Sequence, residues 1–170
     1  MKIRKAKISD REEIAALYRS VADSVVGIAR RPHEITDTYV YALLNTKPAD
    51  IVCLVALDDS EQIIALAHGI KNGLEIHSHI LSDLTVIVAA EQQSKGIGKQ
   101  LAQALLHHIA TERPDIMRLE MEVPVIPSLV DTFLKGGFHK EGQTIKRIKR
   151  PNGTYSDSVL MVWFNPNFKG

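Results

Sequence analysis

Along the chain, apolar positions follow two periods, and the change from one to the other marks its most informative stretch. Residues 84–88 form an unbroken apolar run, Leu84, Thr85, Val86, Ile87 and Val88, rich in β-branched side chains. That is the pattern of a strand buried on both faces. A polar turn follows, Glu91, Gln92, Gln93, Ser94 and Lys95, and then two glycines, Gly96 and Gly98. Beyond them Ile97, Leu101, Ala104, Leu105, His108 and Ile109 recur at three- and four-residue spacing, one face of a helix. The helix starts near Lys95 and ends near Arg113, where Pro114 enforces the stop. Residues 83–108 therefore read strand, glycine-containing turn, helix.

The remaining segments follow the same logic. A short strand is predicted over 2–7. Ser9 and Glu12 have the spacing of a capping box, opening a helix whose apolar face carries Ile14, Leu17, Tyr18, Val21 and Val25. After a break at Arg30, Arg31, Pro32 and His33, Thr36 or Asp37 caps a second helix through Asn45. Segments 51–57 and 63–70 make a hairpin pattern around Asp58, Asp59, Ser60 and Glu61. Residues 74–88 read as one long strand, or two short ones with a bulge, carrying Glu75, His77, His79 and Asp83. His77 and His79 share parity if the strand is regular. A strand over 117–123, a short helix over 128–135 closed by Gly136 and Gly137, and strands 145–150 and 155–164 around Pro151, Asn152 and Gly153 complete the chain. The sum is an α/β (α+β) protein, a mixed sheet of about seven strands flanked by about four helices.

Composition narrows this picture. A length of 170 residues predicts one domain spanning 1–170, and 45% hydrophobic residues suffice for its core. With 21 basic against 20 acidic side chains, a nucleic-acid-binding surface is not expected. The basic stretch Lys146, Arg147, Ile148, Lys149 and Arg150 reads as a solvated sheet edge. Cys53 is the sole cysteine, set in an apolar run, and reads as a structural thiol in a reducing compartment. No signal peptide and no membrane-spanning run is expected, so the expected location is the cytoplasm.

The chemistry begins at the strand–turn–helix joint. The first turn of a helix has unpartnered N–H groups and the positive end of the macrodipole, and so holds anions, phosphate above all. Gly96 and Gly98 let a phosphate approach the backbone, and Lys95 and Lys99 add charge. The alternative is a turn that merely links strand to helix. A G-x-G-x-x-G dinucleotide fingerprint is excluded by Leu101, and no P-loop pattern occurs.

The stretch around Gln93-x-x-Gly96-x-Gly98 resembles the acetyl-CoA-binding motif, Q/R-x-x-G-x-G/A, of the GNAT (Gcn5-related N-acetyltransferase) superfamily. Residues 2–18 are similar to that family's first strand and helix. Phe133 to Phe138 resembles its second signature, Y-x-x-x-G-F, and residues 137–142, 153–157 and Met161 its C-terminal ending. The resemblance implies a GNAT-like, mostly antiparallel sheet and an acetyl-CoA-dependent N-acetyltransferase acting on a primary amine of a small molecule or peptide, with a homodimer among the assemblies it allows. It implies that Gln93, Ser94, Lys95, Gly96, Ile97, Gly98 and Lys99 hold the pyrophosphate, that Val86, Ile87 and Val88 meet the pantetheine and thioester, and that Phe133 packs on the coenzyme arm. Residues 27–41 are where it locates acceptor selectivity.

Acetyl transfer to an alkylammonium first requires loss of a proton. Asp83, close to where several family members carry a glutamate, is the first candidate base, and His79 the second, since an imidazole side chain suits a base near pH 7; Glu75 stands behind them. Two departures from the family pattern are visible. Phe133 occupies the place of the usual tyrosine general acid, and Ile126 that of an asparagine that contacts the coenzyme. A phenyl ring donates no proton, so water or one of Tyr18, Tyr39, Tyr41 and Tyr155 would have to assist the thiolate. The same departures define the alternative, a non-catalytic acyl-CoA-binding module. His77, His79, His107 and His108 offer no further ligand spacing, and no metal is expected.

Overall fold

The predicted hairpin, β2 (Ile51–Leu57) with β3 (Ile63–Ile70), lies inside a seven-stranded sheet. The structure, a computed structural model, describes residues 1–22 and 30–170, so the expectations that involve Val25 and Gly27 fall outside the described residues. The other strands are β1 (Lys2–Lys5), β4 (Ile80–Val88), β5 (Arg118–Pro124), β6 (His139–Lys149) and β7 (Tyr155–Phe164). The helices are α1 (Arg11–Val21), α2 (Asp37–Leu44), α3 (Ile97–Glu112) and α4 (Pro127–Lys135). Strand order is β1-β2-β3-β4-β5-β7-β6, and all neighbours are antiparallel except β4 and β5.

Both faces of β3 and β4 are covered, which accounts for their near-continuous apolar sequence. On one face α3 packs Leu101, Leu105 and Ile109, all fully buried, against Ala65, Ala67, Leu81 and Leu119. On the other, α1 and α2 pack Ile14, Leu17, Tyr18 and Val40 against Val55, Leu66 and Ile87. Truncating one of these large side chains to alanine removes about 2–5 kcal/mol.

Three local expectations are corrected. Ser9 does not cap α1. It lies within a 3-10 turn, Ile8–Asp10, and the Asp10 carboxylate takes the Lys7 N–H at 2.8 Å and the Arg4 guanidinium at 2.6 and 2.9 Å. An ionised, bidentate carboxylate is the stronger acceptor there. Strand β6 begins six residues before the predicted 145, because an edge strand exposed over most of its length shows no hydrophobic alternation. Residues 74–79 are not strand. Glu75–His77 is a 3-10 turn in which Asn72 bonds the His77 ring, so His77 and His79 share no strand face. The cap of α2 is Thr36, whose hydroxyl accepts the Tyr39 N–H at 3.1 Å.

Candidate functional site

The turn between β4 and α3 is built to leave its amides free. Gly96 adopts φ +79° at the N-cap of α3, and Ser94 precedes it at φ +62°. The Gln100 N–H reaches Gly96 O at 3.0 Å, but the amides from Ser94 to Lys99 meet no backbone carbonyl among the described residues. Gln93 ties the turn to the strand by donating its Nε2 to Val88 O at 3.0 Å. A Cβ on Gly98 would lie 3.2 Å from Val88 Cγ2, so this glycine is also what lets the helix start against the strand. Lys95 bonds Gln92 at 3.1 Å at the rim. Free amides, a helix N-terminus and lysine charge together suit a phosphate group.

Upstream of this turn the sheet opens. Strands β4 and β5 pair only at Ile80 with Arg118 and Leu81 with Leu119, and then diverge. Beyond that point β4 is bonded on its β3 side alone. The Ala89 N–H goes to Ile64 O on β3. By strand alternation the Ile87 N–H points the same way, and those of Val86 and Val88 point into the opening. Ile87 also buries its side chain under α1 and α2. The opening thus offers the N–H groups of Val86 and Val88, a few residues ahead of the free-amide turn.

A bulge re-aims β4 before this edge. Ile70 opposes Ser82 and His68 opposes Thr85, so Gly69 faces both Asp83 and Leu84. Asp83 sits at φ +53° with its side chain exposed. Bulges commonly redirect a side chain beside an active site. Here the extra residue keeps Leu81 and Leu84 on the α3 face and turns Asp83 outward.

The opening continues into a cleft of about 510 Å³ between the α1–α2 wall and β5. Asp83, Thr85, Val86 and Phe133 line it. So do groups that sequence reasoning passed over. His68 is 3% exposed and shares a 2.6 Å hydrogen bond between its Nε2 and Tyr18 Oη, while its Nδ1 has no partner among the described residues. Burial, reinforced by the Arg30 charge, pushes this imidazole down to about 4, so it is neutral near pH 7. Burial pushes the Tyr18 hydroxyl up, and it stays protonated. A buried nitrogen without a partner costs about 1–3 kcal/mol. Arg30 lies over Tyr39, its Cζ 4.1 Å from the ring centroid. On β5, Glu122 takes hydrogen bonds from Ser158, from Thr144 at 3.0 Å and from Arg147 at 3.3 Å. Burial alone would raise its carboxyl, but these donors hold it below the usual range, so it is a fixed anion and not a proton acceptor near neutrality.

The available signals were faint. His68 is a lone imidazole in an otherwise apolar strand, which marks a buried polar group without saying what it faces. Tyr18 reads as one more position on the apolar face of α1. Glu122 alternates with Glu120 like any half-exposed strand residue.

Other candidates lie elsewhere. His79 sits in the turn before β4, its carbonyl accepting the Met117 N–H at 2.8 Å, at the closed end of the β4–β5 pair, and it does not line the cleft. Glu75 and His77 share that turn. Phe133 packs edge-on against Phe138 at 5.5 Å, and Ile126 is the N-cap of α4. Of the four tyrosines, Tyr18 and Tyr39 reach the cleft; Tyr41 and Tyr155 are exposed away from it. A second hollow of about 240 Å³, lined by Lys5, Cys53, His108 and Arg113, lies apart from the turn. Burial pushes the Cys53 thiol up to about 12, which leaves it unreactive. Lys146, Arg147 and Lys149 of the basic stretch bond within the sheet or to Arg31. Among the described residues no helix is long and apolar enough to cross a membrane, and no group of three metal-ligating side chains occurs.

Comparison with known proteins adds the following. The acetyltransferase (GNAT) domain family model matches residues 47–148. No curated protein matches the sequence. Among solved structures, a phosphinothricin acetyltransferase from Sinorhizobium meliloti in complex with acetyl-CoA superposes with a TM-score of 0.85 at 18% identity, over 99% of this chain and 90% of that one. A ribosomal-protein-alanine N-acetyltransferase from Brucella melitensis gives 0.82 at 19% identity, covering 96% and 99%. A spermidine N-acetyltransferase from Vibrio cholerae gives 0.75 at 22%, covering 97% and 95%. At these identities the likeness is one of fold.

Proposed function

Because the chain belongs to the GNAT acetyltransferase family, we propose that it is an acetyl-CoA-dependent N-acetyltransferase whose acceptor is a primary amine of a small molecule or peptide. One observation carries the reading: the unpaired edge of β4 is followed, after the 3-10 turn Ala90–Gln92, by a turn of free amides. A coenzyme with an amide-bearing arm and a pyrophosphate needs those two features in that order. The residues fit it: Val86 and Val88 for the arm, and Gln93, Ser94, Lys95, Gly96, Ile97, Gly98 and Lys99 for the pyrophosphate.

Bound there, acetyl-CoA supplies an activated acyl group as a thioester. The protein's own groups do the rest. An N–H at Val86 or Val88 polarises the acyl oxygen, where negative charge develops in the transition state. Asp83, aimed outward by the bulge, receives the ammonium proton directly or through water. Glu122 stays ionised and favours a cationic group entering the cleft. Phe133 and Phe138 form an apolar pad beside the opening and exclude water. Thiolate departure proceeds without a side-chain acid at Phe133, which a thiol pKa near 8.5 permits.

Phe133 and Ile126 are the observations that favour the second reading, a non-catalytic acyl-CoA-binding module. Thiol release from acetyl-CoA, measured against a panel of amines, amino acids and short peptides, separates the two. Turnover with any acceptor establishes the enzyme. Coenzyme binding without turnover across the panel supports the module.

A further inference from the structure

The cleft wall formed by α1, α2 and β3 carries polar groups that the transfer reaction does not use. Arg30 is one. Its guanidinium carbon lies over the Tyr39 ring, and among the described residues it forms no ion pair. His68 is the other, buried, lining the cleft and, among the described residues, unpartnered at Nδ1. The two are close enough for the Arg30 charge to act on both His68 and Tyr18. Tyr18 Oη and His68 Nε2 share their 2.6 Å hydrogen bond, and the tautomer that accepts from this hydroxyl carries its proton on Nδ1, as a second donor beside a cation. The opposite wall has the reverse polarity. Glu122 on β5 faces the same side of the sheet as His68, and Asp83 stands exposed on the bulge between them.

We propose that Arg30 and His68 form an oxyanion subsite for the acceptor, so that the substrate carries a carboxylate, or a similarly shaped phosphoryl group, a few bonds from its amine. The acceptor is then amino-acid-like, its amine toward Asp83 and Glu122 and its anion toward Arg30. This rests on the transferase reading above and names the class of acceptor. A cation paired with a donor held at fixed geometry recognises such a planar anion strongly. A simple diamine would bring a second positive charge against Arg30.

Acetyl transfer is measured with each free L-amino acid, its α-carboxamide, the amine left by its decarboxylation and the matching α-aminophosphonate, with putrescine and spermidine alongside. The expected kcat/KM is at least about tenfold higher for the anionic forms than for the carboxamide and the decarboxylated amine, and Arg30→Gln, at an exposed position that does not threaten folding, brings that ratio within about twofold. Whether carboxylate or phosphonate leads identifies the anion. Equal or better use of carboxamides or diamines overturns the proposal, as does an Arg30→Gln variant that lowers all forms alike. If no amine is acetylated while coenzyme A still binds, the transferase reading fails, and the subsite is judged by titrating the same compounds into protein saturated with coenzyme A. An anion preference lost in Arg30→Gln upholds it; equal or absent binding sinks it.

Discussion

The two walls of the cleft are made in different ways. The wall proposed for the coenzyme is continuous chain: the end of β4, the turn, and the first turn of α3. Its working groups are peptide N–H and C=O, freed because β5 leaves β4 after Leu81 and because the first helical turn has no inner acceptors. The wall proposed for the acceptor is assembled from side chains far apart in sequence. Tyr18 comes from α1, Tyr39 from α2, His68 from β3 and Glu122 from β5. A backbone site needs only permissive residues in a short order, whereas a side-chain site needs a fold to bring its members together. The first can bind one coenzyme in many proteins while the second changes with the acceptor.

The sharpest break of the comparison is at Gly96. Gly96→Trp puts a bulky side chain at a left-handed position on the phosphate approach, and coenzyme A affinity should fall by about a hundredfold or more, at a strain cost of about 1–2 kcal/mol. Calorimetric titration beside a thermal melt separates the two effects. Unchanged affinity would mean that the turn holds no phosphate.

Next in size is Asp83→Asn. If the bulge presents the base, kcat near neutral pH should fall by about a hundredfold and recover as the acceptor itself deprotonates at high pH. A pH–rate profile parallel to that of the parent would remove Asp83 from the role.

The acceptor wall should also show itself in stability. Folded His68 stays neutral down to about 4, whereas in the unfolded chain it titrates near 6.5, so the unfolded state binds more protons between these values. Its contribution is complete above pH 6.5 and is lost as pH falls toward 4, by up to about 3 kcal/mol. His108, also lowered by burial, adds in the same direction. Asp115, held at about 2 by Arg113 and Lys71, acts only in stronger acid. His68→Asn should flatten denaturation midpoints across pH 4–6.5. An unaltered slope would show that the imidazole is solvated.

The smallest effect belongs to Phe133→Tyr. A hydroxyl at this ring should leave kcat equal or raise it by no more than about tenfold, since a thiolate near pKa 8.5 departs without strong acid assistance. A large loss would show instead that the edge-on packing against Phe138 is what counts.

How far the sequence speaks follows the same division. The period change after Val88 and the glycine spacing locate the turn between β4 and α3, and α3 itself, closely, since both depend on neighbours a few residues apart. The hairpin 51–57 with 63–70 coincides with β2 and β3 for the same reason. The 3-10 turn at Glu75–His77 is hidden because its apolar letters, Leu74 and Ile76, are exposed. The exposed early part of β6 has no alternation to read. His68 lies in an apolar run, and its chemical setting comes from Tyr18, fifty residues away, and from Arg30.

The most direct test of a cleft with a backbone-built coenzyme wall is residue-resolved amide exchange by NMR, with and without coenzyme A. Slowed exchange at Val86, Val88 and the amides from Ser94 to Lys99, with the turn at Leu74 to His79 unchanged, is the result expected. Unaltered exchange at those amides on saturation with coenzyme A would contradict the account.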